Sequence, residues 1–390
     1  MIQKFKYYNK LEEFLNSSLQ SHQDLHINLS YNSIAAIGAS NLSFALANCT
    51  NLSNLTLSLS YNQIGAIGAS SLGSALVNLT NLSKLVLELQ GNQIWANGAS
   101  SLGSALANSI NLQILTLKLQ NNQIGAIGAS SLCSGLANCT NLSNLTLELY
   151  DNQIGDEGTS SIGSALANFT NLSNLALYLS NSQICDFGAS NLGSGLGKCT
   201  NLLNLKLGLS CNKIGDEGIL SLGSAFANLT NLQNLIFGLQ FTPFSDKCAL
   251  GLGFALANCI NLTILTLNLN GNQIGDEGIS SFVSALANSV NLSNLTLELY
   301  SNQIGDKGAS GLGFSLVNFI KLSNLALYLE NNQIGANGAS SLGLSLANCT
   351  NLSDLNLNLL KNQINEQQQQ LKFKSKCLKS KRLVVFEIII

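Results

Sequence analysis

Charge is scarce in this sequence, and so are the residues on which most catalytic sites depend. Only 10% of the 390 residues are charged, and the formal net charge is −2. A chain this close to neutral has no electrostatic footprint for nucleic acid, so we expect no nucleic-acid partner. The two histidines, His22 and His26, have no recurrent partner, and the only arginine is Arg382. We therefore predict a protein that is not an enzyme and has no catalytic residues.

Long apolar runs and metal-binding motifs are also missing. No stretch approaches the ~20 consecutive apolar residues that a membrane span requires. Residues 1–19 contain no apolar core of a secretory signal, so we expect a cytoplasmic protein with no membrane partner. No Cys-x-x-Cys pair occurs among the ten cysteines. We predict no metal site and no cofactor on that basis.

What the chain has in abundance is repetition. Residues 51–80 are the unit that almost the whole sequence repeats, and Asn62 marks the position that recurs in it. Steps of thirty reach asparagine at ten of twelve positions, and Ser182 and Thr242 occupy the other two. Such a period indicates stacked repeats with one continuous core. We predict a structural ladder in which each side-chain amide bonds the turns above and below, formed by Asn32, Asn62, Asn92, Asn122, Asn152, Asn212, Asn272, Asn302, Asn332 and Asn362.

Each repeat has two halves with different periods. Leu55, Leu57 and Leu59 alternate with polar residues, which predicts a strand with one buried face. Leu72 and Leu76 are spaced as on the inner side of a helix over residues 68–77. Thirty residues per strand, loop and helix require parallel strands in register. We therefore predict an α/β solenoid of about twelve repeats, a horseshoe with strands on the concave face and helices on the convex face.

Five cysteines share one column of this repeat, in which other copies carry leucine or phenylalanine. The column is apolar, so these thiols are predicted to be core residues. Members of the column sit at least two repeats apart, or ~10 Å at one strand spacing per repeat, which is too far for a disulfide. They are Cys49, Cys139, Cys199, Cys259 and Cys349.

The two ends depart from the repeat and define the domain limits. Residues 1–23 carry an amphipathic stripe, predicted to be a capping helix over the first repeat of the array at 24–365. Residues 366–390 form a polar and basic tail with a short apolar end. We predict that this tail is dispensable for folding. Its six basic residues within 372–382 leave a targeting signal open as an alternative.

The repeat resembles the leucine-rich repeat. Leu52, Leu55, Leu57, Leu59 and Asn62 read LxxLxLxLxxN, whereas the family's strand reads LxxLxLxxN, so the strand here is expected to be two residues longer. The segments IGDEG at 154–158 and GASSLGSAL at 68–76 are similar to the ribonuclease-inhibitor-like subtype. That subtype includes ribonuclease inhibitor, activating proteins of the Ran GTPase and the repeat ends of nucleotide-binding immune receptors.

The resemblance implies a non-catalytic scaffold that binds another protein on the concave strand face, and we expect a monomer. The alternative is a regulatory protein, such as a small-GTPase activator or the sensor part of a larger switch protein. Ribonuclease inhibition is disfavoured, because gripping a basic enzyme calls for more acidic charge than −2.

An internal duplication suggests where a partner would dock. Residues 141–180 and 291–330 agree at 29 of 40 positions. Both copies place tyrosines and carboxylates on the same strand face, and tyrosine supplies large contact area at low entropic cost. A relic of internal copying is the competing interpretation. The predicted partner-binding residues are Glu148, Tyr150, Asp151, Tyr178, Glu298, Tyr300, Tyr328 and Glu330.

Two irregular places have a functional and a neutral interpretation. Residues 241–245, which include the only proline, Pro243, replace the usual strand exit in the eighth copy. They would form a hinge or a binding bulge, or else mark a decayed copy. Trp95 occupies a position that is glycine in other copies, such as Gly65 and Gly125, and is expected at an exposed loop rim.

Overall fold

A computed structural model describes residues 5–364 and 385–389 of the chain. The chain divides into two compact units, Met1–Leu202 and Leu203–Ile390. Each unit repeats one motif, in which a short strand leads through a loop into a helix and the next strand follows. No helix in the part of the chain that the structure describes is long and apolar enough to cross a membrane.

The first unit consists of parallel strands that pair in chain order, with the helices packed on one side. The strands are β1 Phe5–Tyr8, β2 Asp24–Asn28, β3 Asn54–Ser58, β4 Lys84–Glu88, β5 Ile114–Lys118, β6 Asn144–Glu148 and β7 Asn174–Tyr178. The α-helices are α1 Leu11–Leu15, α2 Ala36–Ala47, α3 Gly65–Leu76, α4 Trp95–Leu106, α5 Gly125–Leu136, α6 Gly155–Leu166 and α7 Asp186–Leu196, and a 3₁₀ helix covers Leu19–Ser21.

The second unit has the same organisation. Its strands are β8 Asn204–Gly208, β9 Asn234–Gly238, β10 Ile264–Asn268, β11 Asn294–Glu298, β12 Asn324–Tyr328, β13 Asp354–Asn358 and β14 Val385–Ile389. Its helices are α8 Asp216–Ala227, α9 Asp246–Ala257, α10 Asp276–Leu286, α11 Asp306–Leu316 and α12 Ala336–Ala347. The predicted α/β class and the count of about twelve thirty-residue repeats are confirmed.

The alternation of leucines creates the core and leaves one side of each sheet open. Leu55, Leu57 and Leu59 are at most 1% exposed, and Leu72 and Leu76 of α3 pack on the same interior. Neighbouring strands are offset by thirty residues, so that Leu55 pairs with Leu85, and equivalent side chains form straight columns across the sheet. The strand positions between the leucines face away from the helices, and we call this side the open sheet face.

Strand pairing extends beyond the five named residues of each strand. After β3 ends at Ser58, the Leu59 N–H donates to Glu88 O at 2.8 Å and the Tyr61 N–H donates to Gln90 O at 2.8 Å. The paired backbone therefore continues beyond the named strand.

The column cysteines and the small residues of the helices have packing roles. All five column cysteines are buried, and burial raises the pKa of Cys49 to about 12, so the thiol stays protonated. A Cβ at Gly135 would lie 1.8 Å from Gly103 O, so this glycine permits close contact between the neighbouring helices α4 and α5.

The asparagine ladder joins each turn to the one before it. Asn152 is fully buried, and its Oδ1 accepts from the N–H groups of Asn122 at 3.0 Å and Ile124 at 3.2 Å. Its Nδ2 donates to Leu119 O at 2.9 Å and Leu149 O at 3.0 Å. The side chain therefore bonds its own turn and the preceding turn, whereas we expected it to reach the turns above and below.

The ladder weakens at its ends and is altered at one irregular copy within the second unit. Asn32 is exposed and donates to Ser30 O, and Asn362 is half-buried. In the irregular eighth copy, Thr242 Oγ1 donates to Leu239 O at 2.8 Å, and Phe244 is 1% exposed. The copy at 241–245 thus keeps the within-turn bond of the ladder residue and the buried side chain of a regular repeat.

We expect Asn152→Leu to lower the free energy of unfolding by about 2 kcal/mol or more, because four backbone groups would lose their partner inside a dry turn. Asn362→Leu should cost less and Asn32→Leu least, since water reaches those positions. Chemical denaturation followed by circular dichroism measures the series. Equal costs at the three positions would contradict a burial-dependent ladder.

A second cross-repeat bond caps the helices. Asp276 lies in the first turn of α10, but its carboxylate bonds the following repeat. Its Oδ1 accepts from the N–H groups of Gly305 at 2.7 Å and Gly308 at 2.8 Å, at the start of the next helix. A carboxylate there also meets the positive end of the helix dipole. The same bond to the following repeat is made by Asp156, Asp216, Asp246 and Asp306.

The presence of this aspartate decides the shape of the next loop. Gly305, which follows Asp276 by one repeat, has an extended backbone with φ −105°. Gly65 follows a repeat that has Ala36 at the aspartate position; it adopts φ +64°, and its N–H donates forward to Asn92 O at 3.0 Å. At Gly65, where the preceding repeat supplies no carboxylate, the backbone N–H donates to the following repeat instead. The backbone of this glycine then lies in the left-handed region.

Replacing Asp276 with alanine should cost about 1 kcal/mol of unfolding free energy, because two N–H groups at the start of α11 lose a charged acceptor. Glu277→Ala is the matched control, since it removes the same charge from the neighbouring exposed position. Chemical denaturation of both variants measures the loss of unfolding free energy in each. A similar loss for Glu277→Ala would show that the charge, and not the bond, stabilises this loop.

The N-terminal segment begins with a strand. The helix predicted within 1–23 covers only Leu11–Leu15, and β1 precedes it and pairs in parallel with β2. Ser17 ends the helix by donating from its hydroxyl to Phe14 O at 2.7 Å. Phe14 is fully buried and lies beside His22, which is 2% exposed. Burial, helped by the charge of Lys6, lowers the pKa of His22.

The apolar end of the chain pairs with the second unit. β14 lies parallel to β13, with Leu355 opposite Phe386, and the Leu359 N–H donates to Ile389 O at 2.8 Å. This pairing argues against our prediction that the whole of 366–390 is dispensable. The basic stretch 372–382 lies outside the described residues.

Truncation after Lys381 should lower the free energy of unfolding by about 2 kcal/mol, because the edge of β13 loses its strand partner. The control is Glu387→Ala in the full chain, which leaves the backbone pairing intact. Differential scanning calorimetry compares the two proteins with the parent. If the truncated chain melts like the parent, the pairing of β14 contributes nothing to stability.

Candidate functional site

The first set of predicted binding residues comes together on the open sheet face of the first unit. Glu148 on β6 is the register partner of Tyr178 on β7. Tyr150 follows two residues after Glu148 and therefore points to the same face. All three side chains are half-buried. Asp151 sits in the turn beyond them with φ +58°, and its Oδ1 accepts from Asn181 Nδ2 at 2.5 Å. We call Glu148, Tyr150 and Tyr178 the first patch.

The second set has the same arrangement in the second unit. Glu298 on β11 pairs in register with Tyr328 on β12, and Tyr300 is 39% exposed. Glu330 adds a carboxylate that the first patch lacks, since Ser180 is its counterpart. We call Glu298, Tyr300, Tyr328 and Glu330 the second patch.

The two glutamates that the duplication relates have different neighbours. Glu298 accepts hydrogen bonds from Asn268 Nδ2 and from Asn270 Nδ2, the latter at 3.2 Å. In the second patch Glu330 Oε1 also accepts from Asn358 Nδ2 at 2.5 Å, while its Oε2 is buried without a partner. Amide donors from adjacent strands thus surround the carboxylates of this patch.

In the first unit an ion pair occupies the strands next to Glu148. Lys118 Nζ lies 2.8 Å from Glu88 Oε1, and Ser58 Oγ donates to Glu88 Oε2 at 2.6 Å. Burial opposes ionisation of Glu88, but the hydrogen bonds from Lys118 and Ser58 outweigh it and lower the pKa. Burial raises the pKa of Glu148 and the repulsion of Glu88 adds to the rise, while the attraction of Lys118 and a side-chain hydrogen bond with Gln120 oppose it. The ammonium of Lys118 is therefore committed to Glu88.

A row of unpaired acceptors borders the first patch. At the end of β3, β4 and β5, Ser60 Oγ, Gln90 Oε1 and Gln120 Oε1 are buried and have no hydrogen-bond partner. Ser60 is 3% exposed and Gln120 5%. These residues occupy the column of Tyr150 in three successive repeats. Sequence reasoning missed them, although glutamine at 90 and 120 beside Tyr150 is a visible change in that column.

Two other surfaces stand out on the described residues. A pocket of about 300 Å³ lies at the beginning of the strands of the second unit, lined by Thr296, Ala326, Asp354 and Glu387 among others. It lies at the opposite end of the strands from the second patch, so it does not involve the tyrosines. An apolar rim runs along the helix starts of the first unit and exposes Ile37, Ile67, Trp95, Ile127 and Phe187.

Trp95 lies on this rim, as the sequence predicts, and is 47% exposed. Its φ of +57° places a bulky side chain in the left-handed region. Within residues 5–364 and 385–389, no group of three or more histidine, cysteine, aspartate or glutamate side chains could hold a metal ion.

The comparisons with known proteins agree with the geometry of the repeat. The family model described as Leucine Rich repeat matches residues 51–73, 111–133, 141–163, 199–223, 261–283 and 291–313. These six segments of the chain are leucine-rich repeats. No curated protein matches the sequence.

Solved structures provide the fold comparison. An internalin, InlF, from Listeria monocytogenes is 25% identical with a TM-score of 0.51, over 89% of this chain and 82% of that one. Internalin C2 from the same organism is 23% identical with a TM-score of 0.38, over 66% of this chain and 83% of that one. TLR13, solved in complex with the RNA ssRNA13, is 18% identical with a TM-score of 0.48, over 96% of this chain and 48% of that one.

The family gives a general expectation for function. Leucine-rich repeat proteins generally mediate protein–protein interaction, and their fold generally serves as a non-catalytic binding scaffold. The InlF likeness supports the fold. The likenesses to internalin C2 and TLR13 are weaker, with TM-scores of 0.38 and 0.48.

Proposed function

We propose that the open sheet face, predicted to be concave, binds another protein without catalysing a reaction. The observation that carries the proposal is the placement of Tyr150 and Tyr178 beside Glu148 on the open sheet face, where Glu148 is the register partner of Tyr178. A half-buried tyrosine presents a rigid ring and a hydroxyl at low entropic cost, which suits it to anchor an interface. The second patch is a further anchor of the same composition.

The composition of the open face supports a protein as the partner. A surface that neutralises phosphates requires several unpaired lysines or arginines. Lys118 is paired with Glu88, and the patches add carboxylates, so single-stranded RNA would meet repulsion here. We propose a monomeric, cytoplasmic protein of the ribonuclease-inhibitor-like subtype; the nine free cysteines among the described residues suit a reducing compartment.

The two patches are proposed as unequal sites. The duplication suggested two equivalent docking sites for a repeated or dimeric partner. Three buried acceptors without a partner lie in the column of Tyr150, against one, Glu330 Oε2, in the second patch. We therefore propose that the main anchor lies in the first unit.

Replacing Tyr150 and Tyr178 together with alanine should weaken binding of a captured partner by at least about tenfold, because two anchoring rings are lost. The pair Tyr300→Ala and Tyr328→Ala should weaken it less. The partner is obtained by affinity capture with the intact chain, identified by mass spectrometry, and its affinity is measured by calorimetry.

Ile67→Ala on the apolar rim is the control, since it removes an exposed side chain that lies off the open sheet face. If neither tyrosine pair changes the affinity, the patches are relics of copying. If Ile67→Ala alone weakens binding, the partner docks on the rim and the proposal for the open face is wrong.

A further inference from the structure

We propose that His22 is an acid-sensitive latch for the N-terminal end of the chain. Residues 5–23, which contain β1, α1 and the 3₁₀ helix, are here called the N-terminal cap. The neutral imidazole holds this cap on the first repeat, and a protonated imidazole loosens it. The inference goes beyond the binding of a partner, since it concerns a conformational change within the first unit.

His22 lies where the cap joins the array. It follows the 3₁₀ helix and precedes β2, the strand with which β1 pairs. Its side chain is 2% exposed. The ring centroid lies 5.8 Å from that of Tyr8, which ends β1, and 6.1 Å from that of Phe14 on α1. One side chain therefore contacts both the strand and the helix of the cap, so a change in it acts on the two elements together.

A serine assigns the tautomer of this histidine. Ser17 Oγ lies 2.7 Å from Phe14 O and 2.9 Å from His22 Nε2. A backbone carbonyl can only accept, so it takes the single hydrogen of the hydroxyl. The hydroxyl oxygen then accepts from the imidazole. Nε2 of the neutral ring therefore carries the hydrogen, and Nδ1 carries the lone pair.

Nδ1 is the atom that an additional proton would reach. It is buried and has no hydrogen-bond partner among the described residues. With a proton there, the ring becomes a charged donor that faces the rings of Tyr8 and Phe14 and no acceptor. Burying an unpaired charge costs far more than burying a neutral ring. The protonated imidazole gains by reaching water, and it can do so only when the contacts of the cap are broken.

The neighbouring cation adds to this effect. Burial first, and then the positive charge of Lys6 on β1, lowers the pKa of His22 from 6.5. In an open cap the histidine returns to a pKa of about 6.5. The open state therefore binds more protons between the two values, and acid favours it. The contribution of His22 to cap stability is complete above about pH 6.5 and decreases as the pH falls toward the lowered pKa.

The carboxylates of the neighbouring elements are exposed or bonded elsewhere. On α1, Glu12 is exposed and Glu13 pairs with Lys10 at 3.0 Å. On β2, Asp24 accepts from Asn54 Nδ2 at 3.3 Å. The helix that follows β2, Ala36–Ala47, has no ionisable side chain. The buried imidazolium would thus meet a cation and two aromatic rings instead of a counter-ion.

The test measures amide hydrogen exchange of the full chain at pH 7.5 and pH 5.5 by mass spectrometry, with each rate corrected for its intrinsic pH dependence. Opening of the cap at 5–23 should increase about three- to tenfold at pH 5.5. Tenfold is the limit that proton linkage sets one unit below a pKa of about 6.5. Residues 144–178, which contain no histidine, are the internal reference and should keep their corrected protection.

The two histidines of the chain provide a matched pair of variants. His22→Gln keeps a donor for Ser17 but does not titrate, so the acid response of the cap should disappear. His26→Gln removes the other histidine, which lies half-buried on β2 beside the rings of Phe5 and Tyr7, and should leave the response as in the parent. If His22→Gln responds like the parent, or if His26→Gln abolishes the response, the latch is not His22.

A measurement on the parent alone avoids any loss of folding in the variants. With nitrogen-15 in the histidine rings, NMR should show a hydrogen on Nε2 of His22 at pH 7.5. Its ring signals should then change over the same pH range in which the cap loses protection. A hydrogen on Nδ1 at pH 7.5, a cap that opens without a change in these signals, or equal protection at both pH values would each overturn the proposal.

Discussion

Backbone polar groups in a turn that is stacked between two other turns cannot reach water, and every repeat of this protein must supply partners for them. The asparagine column does so with one amide that accepts twice from the preceding turn and donates to both turns, as at Asn152. Strand register, loop length and the position of the next helix all follow from keeping that amide in place. The thirty-residue period is the length that returns the chain to the same amide.

The same requirement explains why neighbours, and not only local sequence, decide what a residue does. The patches of the two units share their strand sequence, yet the row before Glu148 is Lys118 and Gln120 and the row before Glu298 is Asn268 and Asn270. In a stacked array the neighbours of each side chain on the open face come from the repeats before and after it. The chemical environment of a binding residue therefore depends on three repeats.

Periodicity was enough to predict the elements that recur. The buried leucines of strand and helix, the parallel register and the asparagine column all follow from spacing. The ends could not be read in this way: β1 and β14 have no second copy to reveal a pattern. The direction of the aspartate bond was also beyond the sequence, because the carboxylate of Asp276 has helix N–H groups within reach in two repeats, and only the geometry of stacking selects the later one.

The acceptor row illustrates a further limit. Serine and glutamine at outward strand positions give no signal in the sequence. That their oxygens have no hydrogen-bond donor becomes visible only when the side chains of β3 to β6 are placed side by side. The tyrosines of the first patch were predictable as a surface feature from the duplication. Their chemical difference from the tyrosines of the second patch was not.

The aspartate of one helix and the loop of the next form a pair that spans a repeat boundary. Gly305 keeps its extended backbone through Asp276, while Gly65, without such a carboxylate behind it, is left-handed. A recombination event that cuts the gene between these two partners would join a loop of one kind to an aspartate or alanine of the other. A segment that begins at a helix start and ends after the following loop keeps each aspartate with the loop that it bonds, so a duplication in that phase preserves the pair.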